Sequence, residues 1–145
     1  MNARFGQLEW HCILLNFNAK TCFMKKIEKP SAERLTSEQT TMIQELVNCA
    51  LACESCTSGC LAENDVAMMA RCIELSRDCA ELCFLGSKLI MRESEMVDQF
   101  LRICEEACRL CAEECNKHDH EHCKICAEAC ESCANTCNEF HHQDV

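Results

Sequence analysis

The stretch CNKHDHEHCKICAEACESCANTC, residues 115–137, places six cysteines and three histidines in 23 positions. Sulfur and imidazole at that density suit disulfides, zinc sites, iron–sulfur clusters, or a soft-metal store that uses every thiol together. Spacing along the chain discriminates among these. Cys49, Cys53, Cys56 and Cys60 form one series, and Cys72, Cys79 and Cys83 a second. Cys104, Cys108, Cys111 and Cys115 form a third, and Cys123, Cys126, Cys130, Cys133 and Cys137 a fourth. Nearly every step is three or four residues, so each series lines one stripe of a helix. Those are the positions where a helical bundle carries Leu and Ile. Glu, Ala, Arg, Lys and Asn between them make a solvated face. Sixteen thiols are expected to point into one core.

Cysteine often serves as a small hydrophobe when one residue is buried. Sixteen of them in place of leucines leave unfilled space, at about 24 cal/mol per Å³ of cavity. Phe84, Phe100 and Phe140 with scattered Leu and Ile are too few to fill it, so the core is expected to take up metal. Disulfides fit poorly. Thiols on one helical stripe share a direction and bridge only with strain, and a reducing cytoplasm keeps them free.

Zinc is suggested by four C-x-x-C pairs, Cys53/Cys56, Cys108/Cys111, Cys123/Cys126 and Cys130/Cys133. These lie inside continuous helices, whereas zinc knuckles set such pairs in turns around a closed tetrahedral site. A zinc tetrathiolate also carries about −2, so four stacked sites bury about −8 at a large desolvation cost. Cu(I) is soft, prefers thiolate, and accepts low coordination with bridging sulfur. At about one ion per thiolate the filled core is neutral, and charge favours copper. The C-x₂-C-x₂-C loop of an iron–sulfur site is absent. A di-iron bundle needs two inward Glu-x-x-His pairs, and only Glu139-x-x-His142 is present.

Four helices must position these stripes. The first is expected over about Ser37–Glu63 behind a Thr36/Ser37 cap, and the second from an Asp65 cap to about Arg92. Ser94 is expected to cap the third, which runs to about Lys117, and Asp119 the fourth, which runs to about His141. Short connections join antiparallel neighbours, so the fold class expected is all-α, an antiparallel up-down-up-down four-helix bundle with a cysteine-lined core over residues 35–145. Residues 1–34 read as a loosely structured extension holding the only Trp, half the Phe, Pro30, and the off-stripe Cys12 and Cys22. The first 30 residues carry net +3 and the remaining 115 net −13. That acidic body is a poor partner for nucleic acid. No stretch reaches the roughly 20 apolar residues of a membrane span, and no secretion signal is evident, so a cytoplasmic location is expected.

The stretches CALACESCTSGCLAENDVAMMARCIELSRDCAELC and CRLCAEECNKHDHEHCKICAEACESCANTC resemble the bacterial copper storage proteins, specifically their cytosolic branch. With the helix between them they span roughly residues 40–140. The resemblance implies multiple Cu(I) ions held by core thiolates, no signal peptide, and a homotetramer. It also points to histidines at the mouth of the bundle.

Topology alone makes the two ends unlike. The 1–2 and 3–4 turns bring Asp65, Met68, Met69, His118, Asp119, His120 and His122 around Cys60, Cys115 and Cys123. Met42, Leu46, Ile90, Phe100, Leu101 and Phe140 gather at the other end as an apolar plug. Ions are expected to pass at the histidine end, where imidazoles relay them or the HDHEH segment is merely a solvated turn. Leu51, Ile73, Leu85, Leu110 and Ile125, beside the stripes, are flank packing or a subunit interface.

The function expected is non-enzymatic sequestration of Cu(I), exchanged with a copper chaperone or a low-molecular-weight thiol. The alternatives are a general zinc or cadmium buffer and an iron–sulfur or redox protein.

Overall fold

The computed structural model describes residues 35–142. The expectations for residues 1–34, including Cys12 and Cys22, fall outside the described residues. Four helices carry the chain: α1 Ser37–Leu61, α2 Ala70–Met91, α3 Val97–Cys115 and α4 Glu121–His142. Each packs on its neighbour in sequence, and α4 returns to pack on α1. The result is the antiparallel four-helix bundle, with no strand among the described residues.

Local chemistry sets the helix ends. Thr36 caps α1: its hydroxyl accepts from the Gln39 amide at 3.1 Å, and the Gln39 side chain accepts from the Thr36 amide at 3.0 Å. This reciprocal arrangement satisfies two otherwise unpaired donors. Asp65 also acts as a cap, accepting from Met68 N at 3.3 Å, but it opens a 3₁₀ turn, Val66–Met69, and α2 proper begins at Ala70.

Ser94 is not the immediate cap of α3. Its hydroxyl accepts from Met96 N at 3.3 Å and its carbonyl from Val97 N at 3.2 Å in the turn ahead of that helix. Its amide ends α2: Ser94 N donates to Leu89 O at 3.0 Å and Glu93 N to Ile90 O at 2.9 Å. That pattern closes a helix with a left-handed residue, and Glu93 takes it at φ 54°. The chain then needs two further residues before α3 starts at Val97. At the far end α3 stops at Cys115, and α4 starts at Glu121, so His120 rather than Asp119 precedes it; the His120 carbonyl accepts from Lys124 N at 3.1 Å.

The interior departs from the expectation of unfilled space. Ala50, Ala80, Ala112, Ala127 and Ala134 are buried beside the cysteine stripes. Gly86 faces Leu46 and Phe100, where an added Cβ would come within 3.3 Å of each. Small residues at these contacts let the helices approach, and the sulfurs themselves meet. One end is closed by Met42, Leu46, Ile90 and Leu101, each at most 1% exposed, with Phe100 and Phe140 packed partly buried against them.

Glycine is the residue that occupies a left-handed helix end without steric cost. Glu93→Gly is therefore expected to stabilise the reduced, metal-free protein by about 0.5–1 kcal/mol, seen as a higher denaturant midpoint at unchanged slope.

Candidate metal centre

All sixteen stripe cysteines are free and 0% exposed. Their spacing along each helix turns the thiols inward, and the four walls bring them within hydrogen-bonding reach of one another. Cys53 and Cys130 lie 3.5 Å apart, as do Cys79 and Cys108, and Cys72 and Cys115. Cys83 lies 3.6 Å from Cys104. Cys133 joins Cys49, Cys83 and Cys108, all four sulfurs lying within 4.8 Å of one another. Cys137 is buried and interacts with Cys104 and Cys133, which push its thiol up.

Three more quartets are equally compact: Cys49/Cys53/Cys79/Cys130, Cys53/Cys111/Cys126/Cys130 and Cys56/Cys60/Cys72/Cys123. A triad, Cys56/Cys115/Cys126, lies between the last two. The groups overlap. Cys49, Cys53, Cys56, Cys126 and Cys130 each belong to at least two of them. Closed tetrahedral sites need their own ligands, so overlapping groups are better served by sulfurs that bridge neighbouring ions.

Protonation follows from the same crowding. Burial, reinforced by the nearby Cys56 charge, pushes the Cys60 and Cys123 thiols up, because a low-dielectric site disfavours thiolate. Sharing of hydrogen bonds runs the other way at a few positions: Cys79, bonded first of all with Cys108, comes down to about 7.

The histidine end of the bundle is built around His122. Its Nδ1 lies 3.4 Å from Cys123 Sγ, 3.7 Å from Cys56 Sγ and 3.9 Å from Cys60 Sγ. Its Nε2 lies 3.0 Å from Glu63 Oε1. A carboxylate on one ring nitrogen fixes the proton there and turns the other nitrogen's lone pair toward a metal. His120 stacks on His122, with ring centroids 5.3 Å apart and planes 11° from parallel, and its Nδ1 reaches the same Glu63 oxygen at 3.1 Å. His118 is held elsewhere, 3.5 Å from Glu114.

The three histidines are thus unlike: His122 touches thiols, His120 supports it, and among the described residues His118 meets no thiol within hydrogen-bonding distance. Met69 is buried under this end, while Met68 is 70% exposed. For His122, burial works against the protonated ring, but the Cys56 sulfur and Glu63 outweigh it and raise its pKa.

Several contributors are not evident from spacing. Gly59 makes room for the ring: an added Cβ would sit 2.6 Å from His122 Cγ and 2.7 Å from Cδ2. Glu63 lies beyond the cysteine stripe, and only the meeting of two turns brings it to the histidines. At the plugged end, His141, 6% exposed, places Nε2 2.8 Å from Glu105 Oε2. Arg109 and Asn138 also donate to Glu105. Burial opposes the charge there, yet these bonds hold the Glu105 carboxyl below the usual carboxylate range. The clasp ties α3 to α4 next to Cys104 and Cys137.

Because most core thiols are protonated at neutral pH while a bound thiolate is not, loading is expected to release about one proton per ion. Anaerobic titration with Cu(I) in weakly buffered solution at pH 7.5, followed by a pH indicator, measures this ratio; release near zero would mean a core of preformed thiolates.

Comparison with known proteins agrees with this geometry. A family profile described as Copper storage protein matches residues 35–142. The Cu(I)-bound copper storage protein BsCsp3 is 34% identical, with a TM-score of 0.70, covering 72% of this chain and 99% of its own. A copper storage protein of Streptomyces lividans, loaded with 10 copper equivalents, is 35% identical with a TM-score of 0.70, over 72% of this chain and 84% of its own. A further structure from the same organism, of a cytosolic copper storage protein with five coppers, gives 35% and 0.70, over 72% of this chain and 92% of its own. A cysteine-rich protein of uncharacterized function from Bacillus subtilis strain 168, YhjQ, is 38% identical over 82 residues, which is 57% of this chain and 76% of that relative. With its profile matched across the whole bundle and its thiols gathered in one column, this chain belongs to the copper storage protein family.

Proposed function

We propose that this protein is a cytosolic store that holds Cu(I) on all sixteen stripe thiolates, with the ions passing at the histidine end of the bundle. The observation that carries this reading is the overlap of the thiol quartets and triad, among which Cys49, Cys53, Cys56, Cys126 and Cys130 are each shared. A soft monovalent ion bridged by thiolates fits shared ligands and leaves the column neutral. Divalent ions in separate tetrathiolate sites would leave charge in a dry core. Solved relatives carry copper in the same fold, one of them described as cytosolic. The role is sequestration rather than catalysis.

Residues 1–34, with Cys12 and Cys22, are read as an extension outside the store. His118, His120 and His122 are read as the groups at the mouth, with His122 making the contact to thiols, His120 stacked on it and His118 held apart by Glu114. A copper chaperone or a low-molecular-weight thiol is the donor and acceptor that an exchange mouth of this kind suits. Assembly into a homotetramer is supported by apolar side chains left on the outer faces: Leu51, Leu85, Leu110 and Ile125 are 56%, 41%, 40% and 52% exposed. Of the flanking residues only Ile73 packs partly buried against the core.

Capacity tests the reading directly. Reduced protein titrated anaerobically is expected to bind roughly sixteen Cu(I) per chain, one per core thiolate. The Cys12→Ser/Cys22→Ser variant is expected to bind nearly the same number. Saturation near four would reject the continuous column in favour of separate tetrathiolate sites, the outcome a zinc or cadmium buffer predicts.

The mouth is tested by rate. His118→Ala, His120→Ala and His122→Ala combined, or Gly59→Ala alone, which drives the His122 ring off the sulfurs, should slow loading more than either reduces capacity. The pH dependence has a definite sign. Neutral imidazole binds metal and its protonated form does not. Since His122 is raised above its ordinary value, wild-type loading should slow as pH falls through that raised value. Stopped-flow loading from a buffered Cu(I) donor reads both effects. Equal rates and identical pH profiles in wild type and the histidine variant would remove the histidines from the pathway.

A further inference from the structure

The stripe of α2 is incomplete. Its inward positions run Cys72, Ser76, Cys79, Cys83, so a hydroxyl stands where the three-and-four spacing calls for a thiol. Ser76 is not a surface accident: it is 0% exposed, with Oγ 3.6 Å from Cys111 Sγ and 4.0 Å from Cys126 Sγ.

The sulfur network divides at the same level. On the mouth side, Cys56, Cys60, Cys72, Cys115 and Cys123 are joined by contacts of 3.5–4.0 Å, such as Cys60–Cys72 at 3.7 Å and Cys56–Cys123 at 3.9 Å. On the inner side, Cys111 meets Cys126 at 3.9 Å, and Cys126 meets Cys53 at 3.7 Å and Cys130 at 4.0 Å. Among the described residues, no contact of this kind joins the two sides. The links between them are looser: the triad Cys56/Cys115/Cys126, within 4.8 Å, and a longer-range interaction of Cys111 with Cys115. Ser76 touches the inner member of that triad, Cys126, and its neighbour Cys111.

We propose that Ser76 partitions the store into an outer pool at the mouth and an inner pool beyond it, and that crossing between them is the slow step of filling and emptying. This rests on the Cu(I) storage reading. Cu(I) moves along a thiolate column by ligand exchange: a bond to the next sulfur forms as one to the last breaks, the metal stays Cu(I), and the proton the next thiol gives up passes to the sulfur left behind. On either side of this level α2 offers sulfur to the moving ion, at Cys72 and at Cys79. At the Ser76 level α2 offers a neutral hydroxyl, a hard donor that Cu(I) binds poorly. The ion must cross on three walls, over a looser sulfur step.

The partition has a size. The outer pool has five of the sixteen core thiols, so about a third of the bound copper should leave fast and the rest slowly. The test uses full-length protein, reduced and fully loaded with Cu(I) under anaerobic conditions. Bathocuproine disulfonate in excess withdraws the metal, and the absorbance of its complex gives the time course. Wild type should show two phases in that proportion. Ser76→Cys should raise capacity by about one ion and abolish the slow phase, because it restores the fourth wall. Ser76→Ala removes the hydroxyl without adding a ligand, so capacity and both phases should persist.

Single-phase release by wild type at a capacity near sixteen would overturn the partition and leave storage standing. Two phases surviving in Ser76→Cys, or lost in Ser76→Ala, would also overturn it. A capacity near four would instead sink the storage reading itself. If Ser76→Cys does not fold, wild type and Ser76→Ala still decide the matter.

Discussion

Sulfur packed against sulfur is the contact on which the rest of this bundle depends. A thiol is small, so a core made of thiols closes only if the helix backbones come nearer than leucines would allow. The buried alanines and Gly86 permit that approach. The cost falls on stability: thiols contribute less apolar burial than leucine and only weak hydrogen bonds. The plug of Met42, Leu46, Ile90 and Leu101 therefore holds much of the apolar burial of the metal-free chain in one place. The Glu105–His141 clasp and the Thr36 capping box fasten that same end. Stability is concentrated at one pole, and chemistry is free to occupy the other.

The opposite pole carries its own constraint. In the function proposed, metal passing from water to a thiolate column needs ligands of intermediate affinity at the boundary, and His122 stands beside that boundary. Its Nδ1 looks to Cys56, Cys60 and Cys123 while Glu63 holds its Nε2. Glu63 also bonds His120, so one carboxylate orients two stacked rings. None of this would fit if residue 59 had a side chain.

Much of the fold was legible because the cysteine stripes have helical period and the chain contains few residues that break helices. Four elements, their antiparallel order, the inward thiols and the contrast between the ends all follow from spacing and topology. Helix ends were less legible. Ser94 looks like a cap and does accept from Met96 N, yet its amide finishes α2, because the chain reverses at Glu93, a residue type that rarely signals a left-handed turn. The packing of the thiols was misjudged for a related reason: volume arguments fix how much the side chains fill, not how closely the backbones can settle. At the site, the role of Glu63 depends on two turns meeting in space, and that of Gly59 on the absence of a side chain. Ser76 was visible as a gap in the α2 stripe, but only the surrounding sulfur distances give the gap a consequence.

The closed pole has one more implication. If ions pass at the histidine end, as proposed, a column closed behind by Met42, Leu46, Ile90 and Leu101 would be filled and emptied from one side. The ion deposited deepest would then be the last recovered, so recent arrivals would meet brief demands and the deepest ions a longer scarcity.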